Sequence, residues 1–245
     1  MDSCSHYQRG CQLLAPCCNE FFSCRFCHDE VHYENQRDVK KQHKMDRHSV
    51  KVIKCKACGL EQSLNKECSG CNAVMGEYFC SKCALFDSGP KLDIYHCDKC
   101  GICRKGNSEE YFHCDNCNGC LHISMKDNHA CREGAFSGNC AVCLDDIFTS
   151  RKACTPMRCG HFIHRSCLSY MVKNGQFRCP VCLKTVVDLD EEAMDKMIQE
   201  NPMPEEYRDT KVKIHCLDCQ ANSTVNFHFI GHKCPSCNSY NTSKD

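Results

Sequence analysis

The chain lacks tryptophan and is poor in apolar side chains once its cysteines are set aside. It has 245 residues, and the 42% that are hydrophobic include 30 cysteines. Without them the apolar share falls to about 30%, too little for a hydrophobic core alone to stabilise a chain of this length. No apolar run approaches the length of a membrane span. Something other than apolar burial must therefore stabilise the fold.

Disulfides and metal ions are the two alternatives. The start of the chain, MDSCSHYQRG, is polar and lacks the apolar segment of a secretory signal, so we expect an intracellular protein in which disulfides are disfavoured. The spacing C-x-x-C occurs twelve times, often beside histidine. A disulfide framework has no use for histidine, whereas zinc binds both residue types. The composition therefore predicts small zinc-stabilised modules with little regular secondary structure.

The charges are balanced over the whole chain, with 31 basic and 31 acidic residues. Residues 138–187 carry a net charge of +5 and residues 188–245 a net charge of −5. Zinc-binding thiols are deprotonated, so the loaded protein becomes acidic. An acidic surface argues against nucleic-acid binding as the main role.

The clearest motif begins at Cys140 and reads CAVCLDDIFTSRKACTPMRCGHFIHRSCLSYMVKNGQFRCPVC. Its metal-ligand residues are Cys140, Cys143, Cys159, His161, His164, Cys167, Cys179 and Cys182. Eight ligands fill two tetrahedral sites and leave no open position, which is typical of structural zinc. Cys154 lies outside this pattern, and we interpret it as a thiol that binds no metal.

This spacing resembles the RING-H2 finger. The resemblance implies a cross-brace ββα fold, in which one zinc binds Cys140, Cys143, His164 and Cys167 and the other binds Cys159, His161, Cys179 and Cys182. It also implies that the finger recruits a ubiquitin-conjugating enzyme and supplies no nucleophile of its own. The contact residues implied for that enzyme are Val142, Ile147, Leu168, Met171 and Pro180. The alternative, that they only fill a small core, is about as strong for Ile147 and Met171.

One position departs from many active RING fingers, which place a basic residue directly after the last cysteine to clamp ubiquitin. Here that position is Leu183, and Lys184 follows it. The departure indicates that ubiquitin is held in another way.

The N-terminal segment CSHYQRGCQLLAPCCNEFFSCRFCHDE resembles the CHY zinc finger. Together with the doubled stretch YHCDKCGICRKGNSEEYFHCDNCNGC, the segments MGEYFC and NPMPEEY, and the RING, it resembles the RING and CHY zinc-finger E3 ubiquitin ligase family along nearly the whole chain. The ligands this implies for three zinc ions in the CHY module are Cys4, His6, Cys17, Cys18, Cys24, Cys27, His28, His43, Cys55, Cys58, Cys68 and Cys71. His43 is preferred to His32 and His48 because it has the family's spacing to Cys55. Cys11 is interpreted as a small buried apolar residue.

The next module, of the CTCHY type, is expected to bind three more zinc ions. Its ligands are Cys80, Cys83, His96, Cys97, Cys100, Cys103, His113, Cys114, Cys117, Cys120, His129 and Cys131. His129 is preferred to His122, which we interpret as a polar surface residue. Adjacent His96 and Cys97 point apart and need not share an ion. The spacing does not decide which four ligands bind each ion.

The tail begins with an acidic segment, DLDEEAMDKMIQENPMPEEYRD, which predicts a short helix followed by a linker because Pro202 and Pro204 end any helix. We interpret it as a solvated connector rather than a binding motif. The following residues resemble a zinc ribbon, with one zinc bound by Cys216, Cys219, Cys234 and Cys237. Because four cysteines already fill that site, His215, His228 and His232 are interpreted as surface or packing residues.

Together these assignments predict nine zinc ions in four modules joined by one linker. The predicted ranges are a CHY-type zinc finger at 1–73, a CTCHY-type zinc finger at 74–137, a RING-H2 finger at 138–187, an acidic helix or linker at 188–210 and a zinc ribbon at 211–245. The family resemblance implies a RING-type E3 ubiquitin ligase, in the nucleus and cytoplasm, whose partners are a conjugating enzyme, ubiquitin and a substrate protein such as a transcription regulator. Self-association stays open, and no membrane partner is expected. The alternative is a non-enzymatic zinc scaffold or transcription cofactor.

Overall fold

The computed structural model describes residues 4–90 and 93–244, and its strands are short and pair mainly with near neighbours in sequence. The chain forms two compact units. The first contains residues up to His113 together with Cys120–Ile123, and the second contains Cys114–Gly119 and the chain from Ser124 onward. Within the described residues, none of the helices has the length and apolar character that a bilayer span requires.

The first unit begins with a four-stranded antiparallel sheet in the order β2-β1-β3-β4. Its strands are β1 (Cys11–Ala15), β2 (Glu20–Phe22), β3 (Val52–Cys55) and β4 (Glu61–Ser63). Alternate residues of β1 point inward, so Cys11, Leu13 and Ala15 are buried in a small core with Ile53 and Phe86. Burial raises the pKa of the Cys11 thiol to about 11, which suits its interpretation as an apolar residue.

A short helix, α1 (Arg25–Asp29), follows β2 and continues directly into a π-helical turn, Glu30–Glu34. Cys24 precedes the helix, and its sulfur accepts a hydrogen bond from the backbone amide of Cys27. Four 3₁₀ turns lie elsewhere in the described residues, at Val39–Lys41, Ser108–Glu110, Ile123–Met125 and Glu205–Tyr207. Regular helix is therefore scarce in the zinc-finger modules.

Three hairpins follow one another at nearly constant spacing. They pair β5 (Tyr78–Cys80) with β6 (Leu85–Asp87), β7 (Ile94–Cys97) with β8 (Ile102–Lys105), and β9 (Tyr111–Cys114) with β10 (Gly119–His122). Neighbouring residues of a strand point to opposite faces. His96 and Cys97 in β7 are therefore directed to different sides of their hairpin, whereas Cys103 lies opposite His96 in register.

The RING in the second unit consists of β11 (Cys154–Pro156), β12 (Phe162–His164) and the helix α2 (Arg165–Lys173). The segment that follows the third hairpin packs against it, because the rings of Phe136 and Phe162 lie 4.0 Å apart. Gly119 permits this packing, since a Cβ there would lie 2.2 Å from the Phe136 ring. Cys114–Gly119 and the chain from Ser124 onward thus lie in the same unit as the RING, whereas Tyr111–His113 and Cys120–Ile123 of the third hairpin belong to the first unit.

The C-terminal ribbon has a three-stranded sheet in the order β14-β13-β15 and a preceding helix. These elements are α3 (Glu191–Glu200), β13 (Lys211–Cys216), β14 (Asn222–Asn226) and β15 (Thr242–Lys244). Asp195 of α3 pairs with Lys233 and accepts a hydrogen bond from the hydroxyl of Tyr240. The helix is thus attached to the ribbon, which differs from the solvated connector expected from the sequence.

One carboxylate, Asp218, joins the ribbon to the RING. It accepts hydrogen bonds from the amide and the hydroxyl of Thr185, both at 2.7 Å, and from the hydroxyl of Ser239 at 2.6 Å. The side-chain amide of Asn241, which is fully buried, donates to Asp218 at 3.1 Å and to the carbonyl of Leu183 at 2.9 Å. The ribbon therefore fixes the backbone that follows the last zinc ligand of the RING.

Candidate metal centres and RING surface

A common backbone turn presents the cysteine pairs. At nine C-x-x-C segments the residue after the second cysteine has a positive φ, and these residues are Gly59, Asn72, Ala84, Gly101, Asn118, Leu144, Leu183, Gln220 and Asn238. In six of them its amide donates to the carbonyl of the first cysteine at 2.8–2.9 Å. Asparagine and glycine adopt this conformation readily, whereas leucine does so at a cost. The turn places two sulfurs on one side of the loop.

The CHY module contains three groups of four metal ligands, and in each group the ligand atoms lie within 4.8 Å of one another. The groups are Cys4, His6, Cys24 and Cys27; Cys17, Cys18, His28 and His43; and Cys55, Cys58, Cys68 and Cys71. In the second group a carboxylate orients one of the ligands. His28 Nε2 lies 3.2 Å from Cys17 Sγ, and His28 Nδ1 lies 2.9 Å from the carboxylate of Asp29. The carboxylate orients the ring so that Nε2 faces the cysteines.

The first two repeats show how the doubled stretch is used. One group is Cys80, Cys83, His96 and Cys103, and the next is Cys97, Cys100, His113 and Cys120, displaced by seventeen residues. Each copy of H-C-x-x-C-x-x-C thus divides its ligands between two groups, because adjacent residues of β7 face opposite ways. The structure thus brings together two groups of four ligands that the spacing had left unassigned.

The third repeat departs from this spacing. His129 Nε2 and the sulfur of Cys131 lie 3.4 and 3.6 Å from Cys114 Sγ, and the sulfur of Cys117 lies 3.6 Å from that of Cys131. His129 Nδ1 donates to the carbonyl of Met125 at 2.8 Å, which leaves Nε2 for the group. His122 is exposed and packs edge-on against the Tyr111 ring instead.

The RING ligands form two interleaved groups. In the first, His164 Nδ1 lies 3.2 Å from Cys143 Sγ and 4.0 Å from Cys167 Sγ, and Cys140 contacts both cysteines. In the second, His161 Nδ1 lies 3.4 Å from Cys159 Sγ and 3.6 Å from Cys179 Sγ, and Cys182 contacts both cysteines. This is the cross-brace arrangement, in which the chain alternates between two sites.

Backbone amides in these turns favour the thiolate form that zinc binds. At Cys140, burial opposes ionisation, but hydrogen bonds from the amides of His164, Cys143 and Val142 hold the pKa of the thiol at about 6. At Cys234 burial again opposes ionisation, and the amides of Ser236 and Cys237 hold the pKa at about 7. In the same groups burial and neighbouring thiols raise the pKa of Cys167 and Cys237, so the ease of ionisation differs within each group.

The ribbon supplies four sulfurs. Cys216 Sγ lies 3.6 Å from Cys237 Sγ, and Cys219 Sγ lies 3.6 Å from Cys234 Sγ. Two nearby histidines have other partners, since His215 Nδ1 bonds to the side chain of Asn222 and His228 Nε2 bonds to the carbonyl of Asn201. Sulfur and imidazole donors in closed groups suit zinc, and they leave no position for a reacting water.

The predicted conjugating-enzyme contacts fall into two sets. Val142 and Pro180 are exposed and Leu168 is half-buried. Ile147 and Met171 have only 4% and 3% of their surface exposed. These two therefore belong to the small core of the RING, and a contact with a conjugating enzyme would be indirect.

Two exposed aliphatic residues on the cysteine turns of the RING are not among the predicted contacts. Leu144 is 71% exposed and Val181 is 56% exposed, and each lies in or directly after a cysteine pair. Their signal in the sequence was an apolar residue in a turn position where polar residues are usual. Cys154 lies outside both groups, on β11, and its thiol points to the carbonyl of Ile147.

The cross-braced pair of closed sites, with exposed aliphatic residues on both cysteine turns, defines a RING-class protein built with further zinc-binding modules. Sequence profiles of three families match the chain: a CHY zinc finger over residues 4–78, a RING finger domain over residues 138–183 and a zinc ribbon over residues 189–243. The ribbon profile includes the region of α3, in agreement with the attachment of that helix to the ribbon.

Curated relatives match along nearly the whole chain. The chain is 44% identical to the E3 ubiquitin-protein ligase RZFP34 of Arabidopsis thaliana, over 98% of this chain and 83% of the relative. It is 46% identical to the probable E3 ubiquitin-protein ligase RZFP34 of rice (Oryza sativa subsp. japonica), over 98% and 79%. A third relative, the rice E3 ubiquitin-protein ligase SRFP1, is 39% identical over 98% and 90%. The chain therefore belongs to the family of RING-type E3 ubiquitin-protein ligases that carry a CHY zinc finger and a zinc ribbon.

Proposed function

We propose that this chain recruits a ubiquitin-loaded conjugating enzyme through its RING. It then promotes transfer of ubiquitin to a substrate protein that its CHY, CTCHY and ribbon modules hold. The modified substrate is degraded by the proteasome. The observation that carries this proposal is the exposed aliphatic surface on both cysteine turns of the RING. It consists of Val142 and Leu144 on one turn and Pro180 and Val181 on the other. Closed groups of four donors offer no nucleophile and no open metal position, so catalysis would rest on positioning the bound thioester.

The clamp on ubiquitin differs from that of many RING fingers. Leu183, the residue after the last ligand, has a φ of 62°, and its carbonyl accepts the hydrogen bond from Asn241 of the ribbon. We propose that this position contributes no basic side chain to the contact with ubiquitin. The ribbon instead fixes its backbone. The substrate is proposed to be a transcription regulator, met in the nucleus and cytoplasm, as the family resemblance implies.

Self-ubiquitination with purified ubiquitin-activating enzyme, conjugating enzymes and ubiquitin tests the activity. Cys140→Ser and His164→Ala each remove a ligand of the first RING group and should abolish transfer. Cys154→Ser is the matched control, because that cysteine lies in the same finger outside both groups, and it should retain activity. Full activity in both ligand variants would refute the proposal.

The contact surface needs a test that leaves the metal sites intact. Val181→Asp introduces a charge into the exposed aliphatic surface and should weaken binding to the conjugating enzyme at least about tenfold, since a charge in an apolar contact is desolvated without a partner. Val172→Asp, on the exposed part of α2, is the comparison. Intact partner binding with no transfer by any conjugating enzyme would favour the alternative of a non-enzymatic scaffold.

We also propose nine zinc ions per chain, three in the CHY module, three in the CTCHY module, two in the RING and one in the ribbon. Nine groups of four donors support this number. Elemental analysis of the purified protein measures it directly, and a value well below nine per chain would refute the assignment of ligands.

A further inference from the structure

A fifth donor lies beside the second ligand group of the CHY module, which consists of Cys17, Cys18, His28 and His43. The ring of His32 has its centroid 4.8 Å from that of His28 and 4.7 Å from that of His43. The two ligand histidines are 5.1 Å apart. His32 is therefore as close to each ligand ring as those rings are to each other.

The environment of its Nε2 atom also matches that of a ligand. Nε2 of His32 is buried and has no hydrogen-bond partner, and the same is true of Nε2 of His43, which belongs to the group. A buried polar atom destabilises the fold when nothing binds it. In His43 the metal site accounts for the unpaired nitrogen, and the same account fits His32.

Two other contacts of His32 do not supply the missing partner. Its Nε2 lies 3.8 Å from the carboxylate of Glu20, which is too far for a hydrogen bond, and the Glu20 side chain is 62% exposed. Its ring packs edge-on against Phe22 at 5.4 Å. The packing explains why only 18% of the His32 side chain is exposed. It does not explain why Nε2 lacks a hydrogen-bond partner.

Local structure brings His32 to the site. His28 and His32 are four residues apart, and this spacing puts two histidines on one face of a helix, as in zinc-binding helices. The chain passes from α1 into the π-helical turn between them, and such turns are frequent at functional sites. His43 comes from a different segment, after the turn Val39–Lys41, and its amide donates to the carbonyl of His32 at 3.1 Å.

We propose that His32 is a reserve zinc ligand of this group, able to take the place of His43. The two histidines then bind alternately through Nε2, while Cys17, Cys18 and His28 stay in place. Such an exchange would release the His43 side chain from the site without loss of the metal. The segment between the two histidines, residues 33–42, carries three basic and two acidic side chains, all exposed, so its net charge is +1.

The full-length zinc-loaded protein provides the test, with bound zinc counted by elemental analysis after dialysis against a weak chelator. His43→Ala and His32→Ala should each keep the wild-type zinc content, because the other histidine completes the group. Adding His32→Phe to His43→Ala should lower it by at least one ion per chain. Phenylalanine keeps the ring packing against Phe22 and removes only the nitrogen donor, and His32→Cys in the same background should restore the ion.

His48→Ala is the control, since that histidine lies in the same region but is exposed and bonds to the carbonyl of Lys82 at 2.9 Å. It should leave the zinc content unchanged alone and combined with His43→Ala. Loss of an ion from His43→Ala alone would overturn the proposal. Retention of every ion in the His32→Phe and His43→Ala double variant would overturn it as well. Neither outcome bears on ubiquitin transfer, so this test is separate from that of the proposed function.

Discussion

Replacing Asp218 with asparagine should loosen the ribbon from the RING in a way that one backbone amide reports. The carboxylate receives two hydrogen bonds from Thr185 across this contact, at 2.7 Å each, and two more from Ser239 and Asn241 within the ribbon. Asparagine keeps one oxygen but loses the charge and directs an NH₂ group at one of these donors. Hydrogen bonds to charged groups contribute about 1.5–3 kcal/mol each and are not additive, so we expect a loss of about 2 kcal/mol.

The protonation state of Asp218 sets the conditions for the measurement. Burial raises the pKa of this carboxyl, but the hydrogen bonds from Ser239, Thr185 and Asn241 outweigh it and hold the pKa below its ordinary value. A lowered pKa in the folded state means that the contribution is fully present at neutral pH. It is lost only as the pH falls through the folded pKa. Measurements near pH 7 therefore report the full effect.

Hydrogen exchange at the Thr185 amide is the assay, because that N–H donates directly to Asp218. A loss of about 2 kcal/mol corresponds to exchange about 30-fold faster than in the wild type. Asp209→Asn, at an exposed position before the ribbon sheet, is the control and should leave the rate unchanged. Exchange at Thr185 that stays within about threefold of wild type in Asp218→Asn would refute the reasoning.

Three further predictions follow from the packing, the turns and the metal groups. Phe136→Ala removes a buried ring that packs on Phe162 and should destabilise the RING and third repeat by about 3–5 kcal/mol. On heating, the variant should unfold and release zinc at a lower temperature than the wild type. Phe229→Ala is the control and should change little, because that side chain is 62% exposed. Leu144→Gly relieves a φ of 61° at an exposed leucine and should stabilise the RING by about 1 kcal/mol in denaturant titrations; a lower midpoint would contradict the strain argument. Graded chelation should unfold the modules in separate steps, because each closes its own metal loops, and a single cooperative transition would contradict this.

The sequence was most informative where ligand chemistry fixes the fold. C-x-x-C pairs and nearby histidines identify zinc modules because few residue types bind that metal, and the family assignment and the class of fold were confirmed by the family profiles. Which ligands of the repeats belong to the same group could not be predicted from the spacing alone. His96 and Cys97 are both good ligands, and only their alternation along β7 shows that they serve different groups.

Side-chain exposure and long-range contacts were the hardest features to predict from the sequence, since they depend on residues that are distant in the chain. Ile147 and Met171 have the apolar character of contact residues, and only the packing of the finger shows that they are buried. The acidic segment gave no sign that Asp195 would meet Lys233 and Tyr240, some forty residues later. The sequence offered His32 and His43 as alternative ligands for the same zinc ion. Choosing one of them excluded a zinc site that both histidines can serve.

The overlap of the repeats has a consequence for synthesis on the ribosome. The loop that ends at Cys103 encloses Cys97 and Cys100, which belong to the following group. When Cys103 emerges from the ribosome, three cysteines in the series C-x-x-C-x-x-C are available together, and Cys100 can pair with either neighbour. A nascent chain that meets zinc at this moment has two registers open to it, and the wrong one is corrected only when His113 and Cys120 arrive. Correct assembly of this module therefore requires His113 and Cys120, which complete the second group, to compete for Cys97 and Cys100.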